Sequence, residues 1–124
     1  MREKGDVLED LVREAWPTEG NEWINKEANS GAKYGENDLV SPKYSIECKR
    51  KTSSKSLNLT KQEINQCINR SVRRNKSPLW VSETDGDRIF VTMQFVDFIN
   101  LIKTNAILIE EAEKEIIHEE EESR

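Results

Sequence analysis

Histidine, cysteine and glycine are all scarce in this 124-residue chain, and each scarcity closes off a class of chemistry. The one histidine, His118, lies in a run of glutamates near the C-terminal end, so a Ser-His-Asp triad, a Cys-His dyad and a multi-histidine metal site have no support. The two cysteines, Cys48 and Cys67, form no Cys-x-x-Cys pair. That excludes a disulfide framework and the usual structural zinc patterns, and points to a reducing cytoplasm. The five glycines build neither a Gly-x4-Gly-Lys-Ser/Thr loop nor a Gly-x-Gly-x-x-Gly turn, so no phosphate-cradling loop is expected. No apolar run reaches the ~18 residues of a membrane span, and residues 1–10 are too charged for a signal peptide. Hydrophobic residues make up 35% of the chain and charged residues another 35%. An average domain has about 25% charged residues, so a small core under a crowded surface is expected. Three tryptophans, three phenylalanines and regular apolar spacing still indicate a folded domain. Any hydrolytic chemistry must rest on carboxylates, lysine and a hard metal ion.

The net charge of −5 averages two opposite regions. Residues 110–124 hold eight glutamates against Lys114 and Arg124, a net of −6, which leaves +1 for the rest. Within that rest, residues 43–76 carry ten Lys or Arg against only Glu47 and Glu63, a net of +8. Such a block is the electrostatic footprint of a surface for a polyanion; the alternative is a solvated face offset by acids elsewhere. The shift in composition divides the chain into a domain over 1–109 and an acidic helical tail over 110–124.

Val7, Leu8, Leu11, Val12 and Ala15 form a helical stripe across residues 2–16. Pro17 ends it, because a proline disfavours helical geometry in the residue before it. Trp23 and Ile24 fit either a short strand or a helical turn, and residues 30–35 read as loop. Residues 38–41 and 44–51 flank Pro42-Lys43 and read as two strands joined by a tight turn. After a Ser/Lys-rich loop at 52–58, Thr60-x-x-Glu63 is a capping box that opens a helix to about Arg74, with Ile64, Cys67, Ile68 and Val72 inward. Residues 79–82 and 89–92 flank Asp85-Gly86, a hairpin turn pair. An apolar helix follows over 95–103, and a second over 106–117. This order predicts an α/β domain with a mixed central sheet flanked by helices.

The informative stretch runs from Asp38 to Lys49. Side chains two apart on a strand share a face, so Glu47 and Lys49 point one way while Ile46 and Cys48 point into the core. Asp38, on the adjoining strand, joins Glu47 and Lys49. Two carboxylates at short range suit Mg²⁺, which takes one or two such ligands from protein. A lysine beside them can steady the attacking water or the charge that develops on a phosphoryl oxygen. Counting gives this motif no weight: a chain with this much acid and lysine is expected to contain about two Asp/Glu-x-Lys matches by chance, and it contains one. Placement gives it weight, since the match lies in an apolar-interleaved strand, after an Asp-bearing strand and before a basic loop and helix. The competing reading is a solvent-facing strand edge whose charges keep it from pairing.

These residues resemble the PD-(D/E)XK nuclease superfamily, and within it the archaeal-type Holliday-junction resolvases and their phage relatives. The resemblance spans residues 4–82. It rests on Lys4-Gly5 followed by Glu9, on Ser30-Gly31, on Asp38-Leu39-Val40 and on Ile46-Glu47-Cys48-Lys49. Asn37 stands where the superfamily's name has proline. The resemblance implies a restriction-endonuclease-like fold, with Asp38, Glu47 and the Cys48 backbone carbonyl as metal ligands. Lys49 would be the catalytic lysine, and Glu9 a helix-borne acid beside the metal-bound water, with Asp10 and Glu14 as alternatives on the same helix. Ser30 would lie near the scissile phosphate. Mg²⁺ is the expected cofactor, with Mn²⁺ able to substitute.

On this reading Lys51, Lys55, Lys61, Gln62, Arg73 and Arg74 contact DNA, the cations through salt-sensitive attraction and the amide through phosphate and sugar. Gln62 or Gln66 is also placed to orient water in the site. Trp16 and Trp80 sit in apolar patterns and read as core. The expectation is a metal-dependent endodeoxyribonuclease of a prokaryotic or phage-infected cytoplasm that cleaves four-way junctions in branched double-stranded DNA. The alternatives are a repair or nicking nuclease acting on other DNA structures, a DNA-binding module of the same fold that does not cleave, and an interaction protein for an acidic partner. Phe95, Val96, Phe98, Ile99, Leu101 and Ile102 are too many for one helical stripe. A helix apolar on most of its circumference needs cover on more than one side, from a second copy at a two-fold axis or from residues 106–117 folded back as a lid.

Overall fold

The alternation of Ile46 and Cys48 with Ser45, Glu47 and Lys49 decides which side of the sheet is core and which is cleft. The computed structural model describes residues 4–27, 35–51, 58–84 and 88–122. Helix α1 (Lys4–Ala15) precedes β1 (Asn25–Lys26), β2 (Leu39–Val40) and β3 (Tyr44–Lys51), helix α2 (Lys61–Arg73) leads into β4 (Ser77–Thr84) and β5 (Arg88–Met93), and α3 (Phe95–Glu122) follows. The five strands form one sheet in sequence order. Only β3 and β4 run parallel, with α2 as their crossover, and every other pairing is antiparallel. The sheet is mixed, as the element order predicts.

The α1 side of the sheet holds the apolar core. Leu8 packs with Leu39, Ile46, Cys48, Leu79 and Val81, and Val12, Trp16, Ile24, Tyr44 and Met93 ring the cluster. The α1 stripe is narrower than the sequence suggests: Leu8 is fully buried, but Leu11 and Ala15 are exposed. The Trp16 indole donates to the Glu22 carboxylate at 2.8 Å and meets Tyr44 edge-on, which ties the end of α1 to β3. The turn at Pro42-Lys43 closes through Ser41, whose N–H donates to the Tyr44 carbonyl at 2.9 Å while its hydroxyl accepts from the Tyr44 N–H at 3.1 Å. Asp85-Gly86 and residues 52–57 lie outside the described residues.

The other side of the sheet carries α2. Thr60 caps it, its hydroxyl accepting from the Glu63 N–H at 3.1 Å. At the far end Asn75 takes a left-handed φ of 55°. The N–H groups of Asn75 and Lys76 return to the carbonyls of Val72 and Ser71, so asparagine does the work that glycine more often does at a helix end. The inward residues of α2 are Cys67 and Ser71, not Val72, which is 68% exposed. The expectation for Val72 fails because a buried polar cluster occupies that end of the helix. Asn37 is fully buried, and its amide nitrogen reaches the Ser45 hydroxyl at 2.9 Å, the Cys67 sulfur at 3.2 Å and the Ser71 hydroxyl at 3.3 Å.

The chain divides into two compact units, residues 1–93 and 94–124. Helix α3 runs unbroken for 28 residues, so the two separate helices expected over 95–103 and 106–117 are one, and residues 106–117 do not fold back as a lid. No proline or glycine interrupts this stretch, and nothing else in it stops a helix. Among its described residues none is buried, and Phe95, Phe98, Ile102, Ile109 and Ile116 are all exposed.

Asn37→Ala should lower stability by about 1–3 kcal/mol, because it withdraws a buried amide from the strand–helix seam. The urea midpoint of the variant against the natural protein measures this, and an unchanged midpoint would show that the amide does not hold the seam.

Candidate active site

Residue alternation along β3 sends Glu47 and Lys49 toward α2, where they line a cleft of about 200 Å³. Asn37, Leu59, Glu63, Gln66, Cys67, Arg70 and Trp80 complete it. Trp80 is the lateral neighbour of Glu47 on β4 and is only 4% exposed, so it forms an apolar wall beside the carboxylate. It is buried, as expected, yet on the cleft side of the sheet rather than in the apolar cluster under α1. On α2, Glu63, Gln66 and Arg70 are spaced i, i+3 and i+7 and therefore share the face that looks into the cleft.

Asp38 enters from the end of β2. Its carboxylate accepts the Cys48 N–H at 2.8 Å, a bond that fixes it against β3 beside Glu47. Burial most of all, then the charge of Asp38 and the hydrogen bond the two share, together raise the Glu47 carboxyl from an ordinary 4.5 to about 8. Arg70 pulls it down and Glu9 pushes it up. At neutral pH and without a cation, the pair thus holds a proton. A divalent ion could take the place of that proton, with the two carboxylates and the Cys48 carbonyl as the residues that would hold it and water completing the shell Mg²⁺ prefers. Among the described residues no three His, Cys, Asp or Glu side chains form a closed metal cage. The donor set fits an ion shared with solvent and substrate rather than a structural one.

Glu9, the helix-borne acid, ion-pairs with Lys26 at 3.8 Å, and its charge acts on both Glu47 and Cys48. Asp10 and Glu14 line a separate hollow with Arg13, Thr18, Trp23 and Ile24. Of the three candidate acids, Glu9, Asp10 and Glu14, Glu9 is therefore the one placed toward the carboxylate pair. Lys49 does not lie free in the cleft, because its ammonium pairs with the carboxylate of Glu63. Reading the sequence treats Glu63 only as a capping residue and misses this contact. The spacing Thr60-x-x-Glu63 had a complete local explanation, and only the fold shows α2 lying over β3. The two cysteines are free and buried, and burial pushes both thiols up, Cys67 to about 12. Neither is a nucleophile at neutral pH.

The expected DNA contacts separate into three groups. Lys61 and Gln62 are exposed in the first turn of α2. Arg73 and Arg74 are exposed too, but they clamp the chain before β2: Arg73 donates to the Gly35 carbonyl at 3.4 Å, and Arg74 pairs with Glu27 at 3.4 Å and with Glu36. Arg70 adds a bond to the Glu36 carbonyl at 3.4 Å. Ser30, Lys55 and the side chains of Lys4 and Lys51 lie outside the described residues.

The Glu47 shift sets a pH dependence. Between about 4.5 and 8 the folded chain keeps a proton that the unfolded chain has lost. The associated stability is complete below the lower value and disappears as pH rises through the upper one. Without divalent ions, the urea midpoint should fall from pH 5.5 to pH 8.5, and Glu47→Gln should flatten that fall. Equal slopes in the two proteins would contradict the assignment.

No protein-family model matches the chain, and no curated protein does. Among solved structures it is similar to Hjc of Archaeoglobus fulgidus, described as a Holliday junction resolvase from an archaeal hyperthermophile. The identity is 17% and the TM-score 0.55, over 71% of this chain and 73% of that one. At that identity the likeness shows the fold alone: an α/β architecture with a mixed central sheet.

Proposed function

We propose that this chain is a divalent-metal-dependent endodeoxyribonuclease that resolves four-way DNA junctions. The observation that carries the proposal is the Asp38–Glu47 pair with Lys49 on the same strand face, set in an open cleft between the sheet and α2. The fold likeness to a junction resolvase supports it.

In this mechanism Asp38, Glu47 and the Cys48 carbonyl hold Mg²⁺ or Mn²⁺, which when bound polarises a phosphoryl oxygen and lowers the pKa of water. The hydrogen bond from the Cys48 N–H keeps Asp38 in place, so the carboxylate needs no rearrangement to bind. Lys49 offers its ammonium to the non-bridging phosphate oxygens, where negative charge accumulates. Trp80 walls the cleft and limits the water around the carboxylates. Glu9 lends negative charge from α1. Lys61 and Gln62 contact the flanking backbone, with Ser30, Lys51 and Lys55 completing the DNA surface. Arg73 and Arg74, already engaged with residues 27, 35 and 36, hold the Asp38-bearing segment and contribute to DNA affinity mainly through their charge.

A junction has two strands to cut in symmetrical positions, which a two-fold dimer serves directly. The exposed apolar residues of α3 are the surface proposed for the second copy. In the natural protein, light scattering at micromolar concentration should therefore give twice the 14.4 kDa chain mass. A monomer would remove this interface and leave paired cleavage to assembly on DNA.

The main test incubates the protein and Mg²⁺ with labelled four-way junction, linear duplex and single strand in parallel. Paired symmetrical nicks in the junction alone are expected. Nicks in other structures would select a repair or nicking enzyme, and binding without cleavage a DNA-binding module. Glu47→Gln and Asp38→Asn should each lower cleavage by orders of magnitude while junction binding persists or tightens. Undiminished cleavage in either variant would remove the metal-site assignment.

A further inference from the structure

Lysine is a poor instrument for fixed geometry, since its charge rides on a flexible four-carbon stem. Lys49 faces a particular difficulty. The nearest strong attractor is the Asp38–Glu47 pair, whose Glu47 lies two positions away on the same face of β3. An ammonium drawn onto that pair would occupy the oxygen atoms needed by a cation, and would be lost to the phosphate. The structure shows it elsewhere, across the cleft on Glu63.

Glu63 sits in a rigid place for that contact. It is the third residue of α2, and its own N–H is held by the Thr60 hydroxyl. A glutamate at this point of a Thr-x-x-Glu box commonly turns back to the N–H of the capping threonine. Here its carboxylate reaches out to Lys49 instead, so the capping box is half made and the other half serves the cleft. Both side chains remain partly accessible, at 29% for Lys49 and 34% for Glu63, so an incoming phosphate can share the ammonium without first dismantling the fold.

We infer that Glu63 is the positioning residue for Lys49: from α2 it holds the ammonium off the carboxylate pair and at the mouth of the cleft where the phosphate arrives. This rests on the nuclease reading given above. Glu63 touches neither the phosphate nor the ion on this account, and its whole effect passes through Lys49.

Glu63→Ala should lower kcat on a junction by about 10–100-fold, the scale of misplacing one reacting group by about an ångström. KM should stay within about twofold, because one inward acid is not part of the DNA-binding surface. Glu63→Gln, which keeps a carbonyl acceptor and can still serve the capping box, should recover part of the loss. In a Lys49→Ala background, Glu63→Ala should change nothing further, since the two act as a unit. A readout independent of cleavage is the rate at which an amine-reactive ester labels each lysine, followed by peptide mass spectrometry. Lys49 should label several-fold faster in Glu63→Ala than in the natural protein, with Lys43 and Lys61 unchanged. Equal kcat together with equal Lys49 labelling overturns the inference, as does a raised KM at unchanged kcat. A natural protein that cleaves no DNA defeats the nuclease reading and this inference with it. One that cleaves, with the Glu63 variants matching it in both readouts, defeats this inference alone.

Discussion

A single buried amide sets the geometry on which the cleft depends. Asn37 reaches Ser45 on β3 and Cys67 and Ser71 on α2, so strand, helix and the chain entering β2 meet at one side chain. Its two hydrogens are spread over several acceptors, which makes each bond modest and the junction as a whole hard to rearrange. The next residue is Asp38. Anything that moves α2 relative to β3 must therefore disturb the amide first, and then the carboxylate beside it. The polar side of the sheet is held by this seam and by an arginine clamp on residues 35 and 36, whereas the α1 side is held by ordinary apolar packing.

The second constraint is electrostatic. Asp38, Glu47 and, from α1, Glu9 act on one another beside the basic stretch of residues 43–76, and without a cation their repulsion is relieved by a proton on Glu47. Arg70 looks into the same cleft from α2 and draws the Glu47 carboxyl down, while Lys49 on β3 is paired with Glu63 of α2. Each side of the cleft thus carries both signs of charge, matched across the gap. Such a matching survives only because α2 is held in register, and it leaves a polarised gap suited to an anion bridged to a cation.

Much of this was legible in the sequence, for identifiable reasons. The hairpin at Pro42-Lys43, the alternation along β3 and the Thr60 cap are local features with strong short-range signals, and the structure has all three. So is the placement of Glu47 and Lys49 on one face. The sequence divides α3 in two because its polar residues around Thr104 and Asn105 imitate a break, although neither stops a helix. Val72 was misplaced because the apolar period alone cannot foresee a helix end buried through Asn37 and Ser71. The pairing of Lys49 with Glu63 and the clamp of Arg73 and Arg74 on Gly35 and Glu27 depend on residues from 14 to 47 positions apart, and no local pattern reports contacts at that range.

The bond between the Cys48 N–H and Asp38 also guards the sheet's flank. Strand β2 is only two residues long, so β3 runs past it, and the Cys48 N–H is paired not with a strand backbone but with the Asp38 carboxylate. An unpaired rung on a half-covered strand is an invitation to a foreign strand. The Asp38 carboxylate fills the rung with negative charge and closes that route to self-association. One side chain thus serves both reactivity and colloidal behaviour: a replacement too short to reach the rung would alter how the protein keeps to itself at high concentration as well as what it does to a phosphodiester.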